Sequence, residues 1–242
     1  MFGTIARLAL FMNWDSIVTK VAPNVVRIST PSGHGTGFLY LHNQDKTIWG
    51  IATAAHVLGH ADEWQEPIRI EDAQLNEVAF LKAGQRIIYF NWKTDSAVVL
   101  FQPTGTFKLP EPLIPLRPMD APLSIGADVG WLGFPSIEAY TLCFFSGNVS
   151  ARPTNRNAYL IDGVAINGVS GGPVLYSTGA DSVQVVGIIT AYQASRQAGG
   201  PLPGLSIAQD VSHFHDIIQH VKTMDDAQKT KAKLEQEGKP QQ

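Results

Sequence analysis

Short runs of β-branched, aromatic and other apolar residues recur along the chain after residue 20, and Gly, Asn, Asp or Pro bounds each run. Runs of this length and composition are typical of β-strands in small antiparallel barrels. In the first hundred residues the runs occupy positions 25–28, 36–40, 47–51, 87–90 and 96–101. The pattern predicts a first β-barrel over residues 21–101.

A proline-rich stretch over residues 102–121 interrupts the strand pattern, with prolines at positions 103, 110, 112, 115 and 118. Because proline has no backbone N–H to donate, this stretch predicts an extended linker. A second series of strand-like runs follows at residues 128–132, 140–145, 158–161, 172–176 and 183–190. The two strand-rich halves predict an all-β fold of two packed six-stranded antiparallel β-barrels, the second over residues 122–209.

Both ends of the chain have a helical pattern. Residues 1–20 predict an N-terminal helix, and apolar residues at 211, 214, 217, 218 and 221 have helical spacing. Residues 210–242 therefore predict a C-terminal helix that leads into a polar tail. Residues 1–12 lack the basic start and the clear cleavage site of a signal peptide. No run approaches the roughly 18–20 apolar residues that span a bilayer, so no integral membrane span is expected.

Composition and charge narrow the classes of function. The formal net charge of −3 gives no support for a nucleic-acid partner, which needs a concentrated basic face. Two carboxyl-rich stretches, near residues 62–77 and 225–237, are interpreted as solvated surfaces. Cys143 is the only cysteine, so no intramolecular disulfide can form. This favours a reducing compartment, and we expect a cytoplasmic protein in which Cys143 is a buried structural thiol.

Three motifs contain candidate catalytic residues, and each of them alone also fits a structural role. Ser170 is preceded by Gly168 and followed by two further glycines, which suits either a nucleophile beside an oxyanion site or a glycine-rich turn. His56 follows a predicted strand among small residues, where it is either a base or the start of a helix. Asp95 precedes an apolar strand, where a buried carboxylate needs a donor such as a histidine N–H.

Taken together, His56, Asp95 and Ser170 have the chain order of the chymotrypsin-type catalytic triad. Six motifs in the right order resemble those of the trypsin-like serine peptidases, and more narrowly the bacterial HtrA type, over about residues 21–212. These motifs lie at residues 21–28, 35–39, 53–56, 94–97, 133–135 and 168–173. The resemblance implies a chymotrypsin-like double-barrel fold and the activity of a serine endopeptidase.

The resemblance also implies a mechanism and a substrate. Asp95 would orient His56, and His56 would deprotonate Ser170 for attack on a peptide bond, with an acyl-enzyme intermediate. The N–H groups of Gly168 and Ser170 would bind the oxyanion. Neither a metal nor a cofactor is implied, and the expected partner is a protein or peptide substrate. The residues expected to line the specificity pocket are Val164, Ala165, Ile189, Thr190 and Ser206. None is acidic, so small or medium apolar side chains are expected before the scissile bond.

The sequence departs from the pattern of the family in three respects. Val169 stands where animal digestive members have an aspartate that binds a freshly cleaved N-terminus, so that salt bridge is not possible here. Residues 166–168 form a segment one residue shorter than in the HtrA type, which leaves the resting shape of the oxyanion loop open. A PDZ domain, which the HtrA type usually adds, is not expected because only about thirty residues follow the matched region.

Three other functions fit parts of the sequence. A protease-fold module that binds peptides without turnover would use the same groove. Residues 168–172 also satisfy the Gly-x-Ser-x-Gly elbow of an α/β-hydrolase-type esterase, with Asp181 and His213 in the matching order. That elbow leads into a helix, whereas strand-forming residues follow Ser170. His56 and His60 have the spacing of two zinc ligands on a helix, but the glutamate that follows the first histidine in zinc peptidases is missing.

Overall fold

The computed structural model describes residues 14–72, 77–103, 107, 110–179, 182–192 and 205–237. The strands of the first half are β1 (Val25–Thr30), β2 (Gly33–His42), β3 (Trp49–Ala54), β4 (Ile68–Asp72), β5 (Glu77–Leu81), β6 (Arg86–Asn91) and β7 (Ser96–Phe101). Those of the second half are β8 (Asp128–Gly133), β9 (Cys143–Ala151), β10 (Ala158–Asp162), β11 (Pro173–Gly179), β12 (Ser182–Tyr192) and β13 (Ser206–Asp210). The helices are α1 (Trp14–Val21), α2 (Ala55–Glu63) and α3 (Ser212–Glu237). Every pairing between these strands is antiparallel, which confirms the predicted all-β class.

Strands β1 to β7 form one sheet in the order β5-β4-β1-β2-β3-β7-β6. A six-stranded barrel was expected here, but the sheet has seven strands, and β5 and β6 are its two edges instead of a closing pair. Arg86, at the start of β6, donates to the backbone carbonyls of Ala61, Glu66 and Leu81 at 2.7–3.0 Å. A buried guanidinium, rather than a closing ladder, therefore links β6 to β5 and to the segment before β4. The first half is a half-barrel.

Strand β4 lies within residues 62–77, the carboxyl-rich stretch that the sequence analysis interprets as a solvated surface. The side chains of Ile68 and Ile70 are fully buried, while Glu71 points to the other face and is only 14% exposed. Glu71 accepts hydrogen bonds from Arg27 at 2.5 Å and from Arg69 at 2.8 Å. Pairing across the strands satisfies this carboxylate, so the interpretation of this stretch as solvated is wrong for β4.

Strands β8 to β13 form the closed six-stranded barrel that the sequence predicts, in the order β10-β13-β12-β11-β8-β9. Trp131 is the largest of its fully buried side chains. Strand β11 begins at Pro173, a position where the missing N–H is tolerated because it is the first of the strand. The turn that precedes β11 carries Ser170, so the barrel fixes the end of that turn.

Residues 115–117 of the proline-rich segment lie alongside β12. Leu116 forms an isolated parallel bridge with Val185 of β12. Arg117 N donates to Val185 O at 2.8 Å, and Val185 N donates to Pro115 O at 2.9 Å. The domain limits drawn from the sequence, at residues 20, 101, 121 and 209, stay predictions.

Helices α1 and α3 pack on a core that both halves share. Ile17 of α1 and Phe214 of α3 are buried in one cluster with Phe38 of β2, Leu132 of β8 and Leu175 of β11. Residues 1–13 of the predicted N-terminal helix lie outside the described residues, and α3 continues to Glu237. In the part of the chain that the structure describes, no helix combines the length and the apolar character that crossing a bilayer requires.

Candidate active site

The structure brings His56 and Asp95 into direct contact. His56 lies in the first turn of α2, immediately after β3, and its Nδ1 atom is 2.7 Å from Asp95 Oδ2. The backbone N–H of His56 donates to the other carboxylate oxygen, Oδ1, at 3.0 Å. The His56 side chain is 48% exposed and that of Asp95 33% exposed, so solvent and substrate can reach the imidazole. The carboxylate therefore orients the ring through one oxygen and the backbone of the helix through the other.

Asp95 is held by a tight turn between β6 and β7. Its φ of 48° lies in the left-handed region, which aspartate tolerates better than most residues. Its backbone carbonyl accepts a hydrogen bond from Ala55 N at 3.1 Å. Ala54, at the N-cap of α2, offers no side-chain acceptor. Asp95 thus satisfies two of the N–H groups that a helix leaves unpaired at its start.

The glycine-rich turn that carries Ser170 is anchored by the residue before the serine. Val169 is fully buried in the core of the second barrel, where it packs against Gly133. Gly168 and Gly171 have φ values of 91° and 86°, which side-chain-bearing residues rarely adopt. Ser170 itself is partly exposed. The turn therefore buries one side chain and presents the next one at the surface.

The same turn lies against the strand end that leads to His56. Gly171 N donates to Ile189 O at 2.7 Å, and a methyl group on Gly171 would come within 2.9 Å of Ala54 N. The serine motif and the histidine motif are therefore in van der Waals contact through their backbones. Among the described residues Ser170 Oγ makes no hydrogen bond, with His56 or with another group. Catalytic hydrogen bonds are often long in proteins without bound substrate and shorten when it binds.

Two backbone N–H groups beside Ser170 are left available. Within the described part of the chain, neither Gly168 N nor Ser170 N donates to another protein group. The intervening Val169 N donates to Ile166 O at 3.1 Å. These two free donors are those that the sequence assigns to the oxyanion. A negatively charged oxygen that meets both would be stabilised by charge-assisted hydrogen bonds.

The residues expected to form the specificity pocket lie on β12, on β13 and on the segment before the serine turn. Ala165, Ile189, Thr190 and Ser206 are buried, and Val164 is 43% exposed. Ser206 Oγ donates to Gly163 O at 2.6 Å, so its hydroxyl is already used. None of these side chains carries a charge, whereas a pocket that selects Lys or Arg needs an acidic group.

Sequence reasoning missed a cavity beside His56 and the role of Thr36. The cavity has a volume of about 500 Å³, and its aromatic wall is Trp92, which is 62% exposed and stacks on Phe90 at a centroid distance of 4.9 Å. Thr36, in β2, is fully buried and bonds to the serine turn. Gly35 and Gly37, on either side of Thr36, indicate close packing at this strand. Nothing in the sequence indicates which group the Thr36 hydroxyl bonds.

A second histidine lies against the serine turn. His34 Nε2 is buried, and a methyl group on Gly168 would come within 2.7 Å of it. Burial, and then the positive charge of Arg27, lower the pKa of His34, although the nearby backbone of Phe134 raises it in part. The imidazole beside the turn is therefore held in its neutral form more strongly than in water.

The structure bears on the esterase elbow, on the pair of zinc-spaced histidines and on the expected burial of Cys143. Strand β11 follows the serine turn where an α/β-hydrolase elbow would need a helix, so the esterase fold is excluded. His60 Nδ1 lies 3.3 Å from Glu66 Oε2, and the described residues hold no group of three or more metal-binding side chains. Cys143 is half-buried rather than fully buried, and burial together with Glu138 raises the pKa of its thiol, which disfavours a nucleophilic thiolate.

Comparison with known proteins agrees with this architecture. The family model of the trypsin-like peptidase domain matches residues 35–188. An inactive serine-to-alanine mutant form of Rv3671c from M. tuberculosis H37Rv is similar in structure, with a TM-score of 0.59 and 19% identity over 85% of this chain and 89% of that chain. The serine endoprotease from Yersinia pestis has a TM-score of 0.63 and 20% identity over 88% of this chain and 67% of that chain. At such identities the two structures establish the chymotrypsin-like fold alone. No curated protein matches the chain by sequence.

Proposed function

The chain belongs to the trypsin-like peptidase domain family, and from this we propose that it is a serine endopeptidase acting through His56, Asp95 and Ser170. The observation that carries the proposal is the double contact between Asp95 and His56, 2.7 Å at Nδ1 and 3.0 Å at the backbone N–H. With Nδ1 committed to the carboxylate, the Nε2 atom is left to exchange protons. Ser170 lies on the turn that packs against the residues immediately before His56.

In the proposed mechanism, His56 Nε2 takes the proton of Ser170 Oγ while Oγ attacks the carbonyl carbon of the scissile peptide bond. The carbonyl oxygen becomes an oxyanion and accepts hydrogen bonds from Gly168 N and Ser170 N. His56 then gives its proton to the leaving amine, and the acyl group remains on Ser170. His56 then takes a proton from a water molecule as the water oxygen attacks this ester, and it returns that proton to Ser170 Oγ as the acyl group leaves as an acid. His56 must begin neutral, because it accepts a proton in the first step.

The proposed substrates are proteins or peptides with a small or medium apolar side chain before the cut bond. Support comes from the uncharged side chains of Ala165, Ile189 and Thr190 and from the buried Ser206 hydroxyl, which is already bonded to Gly163 O. An apolar pocket discriminates mainly by size, so preferences between neighbouring apolar residues are expected to be modest, about 10–200-fold per methylene. Cleavage of a peptide library tests this part of the proposal.

A peptide-binding module without turnover is the second candidate, and one observation favours it. Among the described residues, Ser170 Oγ makes no hydrogen bond to His56. In a peptide-binding module the hydrogen bond between Ser170 Oγ and His56 would be absent in every state. In an enzyme this hydrogen bond would form when substrate binds.

A fluorophosphonate probe tells the two candidates apart, because it reacts only with a serine that a neighbouring base activates. The wild-type protein is expected to be labelled, and Ser170→Ala is expected not to be. His56→Ala, which keeps the serine and removes the base, serves as the matched control and should lose most of the labelling. Absence of labelling in the wild type with and without added peptide, or equal labelling of Ser170→Ala, would remove the assignment.

A further inference from the structure

Thr36 belongs to β2 in the first half of the molecule, but its hydroxyl serves the second half. The side chain is fully buried. Phe134 N donates to Thr36 Oγ1 at 3.0 Å, and Thr36 Oγ1 donates to Gly168 O at 2.8 Å. Because a backbone N–H can only donate and a carbonyl can only accept, the Thr36 hydroxyl accepts from Phe134 N and gives its one hydrogen to Gly168 O. The direction of both hydrogen bonds is therefore fixed.

The backbone of Thr36 holds the same turn at a second point. Thr36 N donates to Ser170 O at 2.8 Å, and the Thr36 carbonyl accepts from Thr53 Oγ1 at 2.6 Å. One residue thus contacts the carbonyls of both Gly168 and Ser170. These are the two residues whose N–H groups are proposed to bind the oxyanion.

All four carbonyls of residues 167–170 are held in place. Asn167 O accepts from Ser136 N at 2.7 Å, Gly168 O from Thr36 Oγ1, Val169 O from Gly172 N at 2.9 Å and Ser170 O from Thr36 N. Three of these restraints come from backbone N–H groups, and the restraint on Gly168 is supplied by a side chain. Each held carbonyl fixes one peptide plane, and therefore the direction of the N–H that follows it. Gly168 N and Ser170 N lie in the planes held at Asn167 O and Val169 O, and Thr36 holds the planes on the other side of Gly168 and of Ser170.

We propose that Thr36 is a positioning residue for the oxyanion site: by holding the carbonyls of Gly168 and Ser170, it fixes the peptide planes that follow the two donor residues and so limits how far those residues can rotate. This inference rests on the proposed peptidase function. Gly168, with a φ of 91°, has little conformational preference of its own to hold this shape. The apolar Val169 side chain anchors the turn in the core but cannot direct a peptide plane. The planes that follow Gly168 and Ser170 are restrained from another element, β2, through Thr36.

The informative substitution is Thr36→Val, which keeps the shape of the side chain and removes the hydroxyl. A displacement of catalytic groups by about 1 Å is typically associated with a loss of about 10²-fold in rate. We expect kcat for a peptide substrate to fall by about that factor while KM changes by less than about twofold. The affinity for a peptide boronic acid, whose adduct places an oxygen in the oxyanion site, should fall in parallel with kcat. Thr36→Ser, which retains the hydroxyl, should recover most of both.

Asn43→Ala is the control, because Asn43 is also buried and its side-chain oxygen accepts from Thr47 N and Ile48 N in the turn that follows β2. These hydrogen bonds involve none of residues 167–170. A loss of stability comparable with that of Thr36→Val, measured by thermal denaturation, is compatible with the proposal. Its ratio of boronic-acid affinity to KM should stay within about threefold of the wild type. If Thr36→Val does not fold, the smaller Thr36→Ala takes its place.

A second measurement does not need turnover. Hydrogen exchange of residues 164–172, followed by mass spectrometry, should be faster in Thr36→Val than in Thr36→Ser or in the wild type. If the wild type is not labelled by the fluorophosphonate, the proposed function fails, and the exchange experiment still decides the role of Thr36. Wild-type exchange rates in folded Thr36→Val would overturn the inference, and so would an unchanged kcat in an active enzyme.

Discussion

Asp95 makes two contacts with one carboxylate. One oxygen lies 2.7 Å from His56 Nδ1, and the other accepts from the His56 backbone N–H at 3.0 Å. The second contact replaces the side-chain cap that Ala54 cannot supply to α2. A negative charge at this position is also favoured by the dipole of the helix. The group that orients the proposed base therefore also stabilises the helix on which the base lies.

This double role predicts different outcomes for two substitutions at Asp95. Asp95→Asn is expected to lower kcat about 10⁴-fold, because an amide keeps the geometry but does not hold the required tautomer of His56. Asparagine caps helices well, so the melting temperature should change little. Asp95→Ala should lose similar activity and, in addition, about 1 kcal/mol of stability with the cap. Peptide hydrolysis and thermal denaturation measure both effects, and a fully active Asn variant would contradict the role of the carboxylate.

At the scale of single residues, short sequence motifs point to the candidate catalytic residues but not to the residues that hold them. Ser170 and His56 lie in motifs whose small neighbours would serve the proposed chemistry. The role of Thr36 depends on Gly168, which is 132 positions further along the chain. No local pattern encodes a hydrogen bond between elements so far apart. The φ of 48° at Asp95 is likewise set by the turn that folds around it.

At the scale of elements, the sequence predicts the apolar strands and misses the charged ones. Strand β7 is fully buried, and its limits, 96–101, are those that the pattern predicts. Strand β4 alternates buried isoleucines with Arg69 and Glu71, and the carboxylate pairs with Arg69 of its own strand and with Arg27 of the neighbouring strand. The link between the two edges of the first sheet depends on Arg86 and the three backbone carbonyls to which it donates. Both features arise from pairing between elements.

Helix α3 contains a histidine that should make the fold sensitive to acid. Burial lowers the pKa of His213, although the Tyr89 backbone and Asp216 raise it in part, and its Nε2 atom is buried without a partner. The unfolded chain binds a proton on this side chain near its ordinary pKa of about 6.5. Below that pH the unfolded state holds more protons than the native state, so stability falls as the pH decreases from about 6.5 towards the lowered native pKa. Above about 6.5 this penalty is absent.

We therefore expect the melting temperature to decrease on acidification from pH 7.5 to 5, and less steeply in His213→Gln than in the wild type. His34, whose pKa is also lowered, should retain part of the dependence in the variant. Gln219→Ala, a change at an exposed residue of the same helix whose side chain does not titrate, is the control and should keep the wild-type slope. Thermal denaturation in buffers of constant ionic strength measures the slopes. Equal slopes for His213→Gln and the wild type would contradict the assignment.

At the scale of the whole molecule, the two halves share their largest core. Phe214 of α3 is fully buried, with its ring 6.2 Å from that of Phe38 and 5.5 Å from that of Tyr40 in the first sheet. The same cluster includes Leu132 and Leu175 of the second barrel. The serine turn lies at the junction of the halves, since Thr36 holds it from the first sheet and Val169 anchors it in the second barrel. The candidate site therefore requires both halves to be folded and docked.

A shared core predicts that the halves unfold together. Phe214→Ala should lower the free energy of unfolding by about 3–5 kcal/mol, the usual range for a buried phenylalanine. Hydrogen exchange in increasing urea, followed in peptides from residues 25–54 and 158–188, should give one midpoint for both halves. In Phe214→Ala both midpoints should decrease by the same amount. Phe80→Ala, a change at a 63% exposed phenylalanine, should alter stability by less than about 0.5 kcal/mol.

Separate midpoints for the two sets of peptides would show that the shared cluster does not couple the halves. In that case His56 and Asp95, both carried by the first sheet, could stay in contact while Ser170 moved away with the second barrel. Activity would then be lost at the lower urea concentration, before the first sheet unfolds. With a coupled core, activity and the exchange protection of both halves should disappear at one urea concentration. Following peptide hydrolysis through the same titration therefore tests whether the docking of the halves assembles the candidate site.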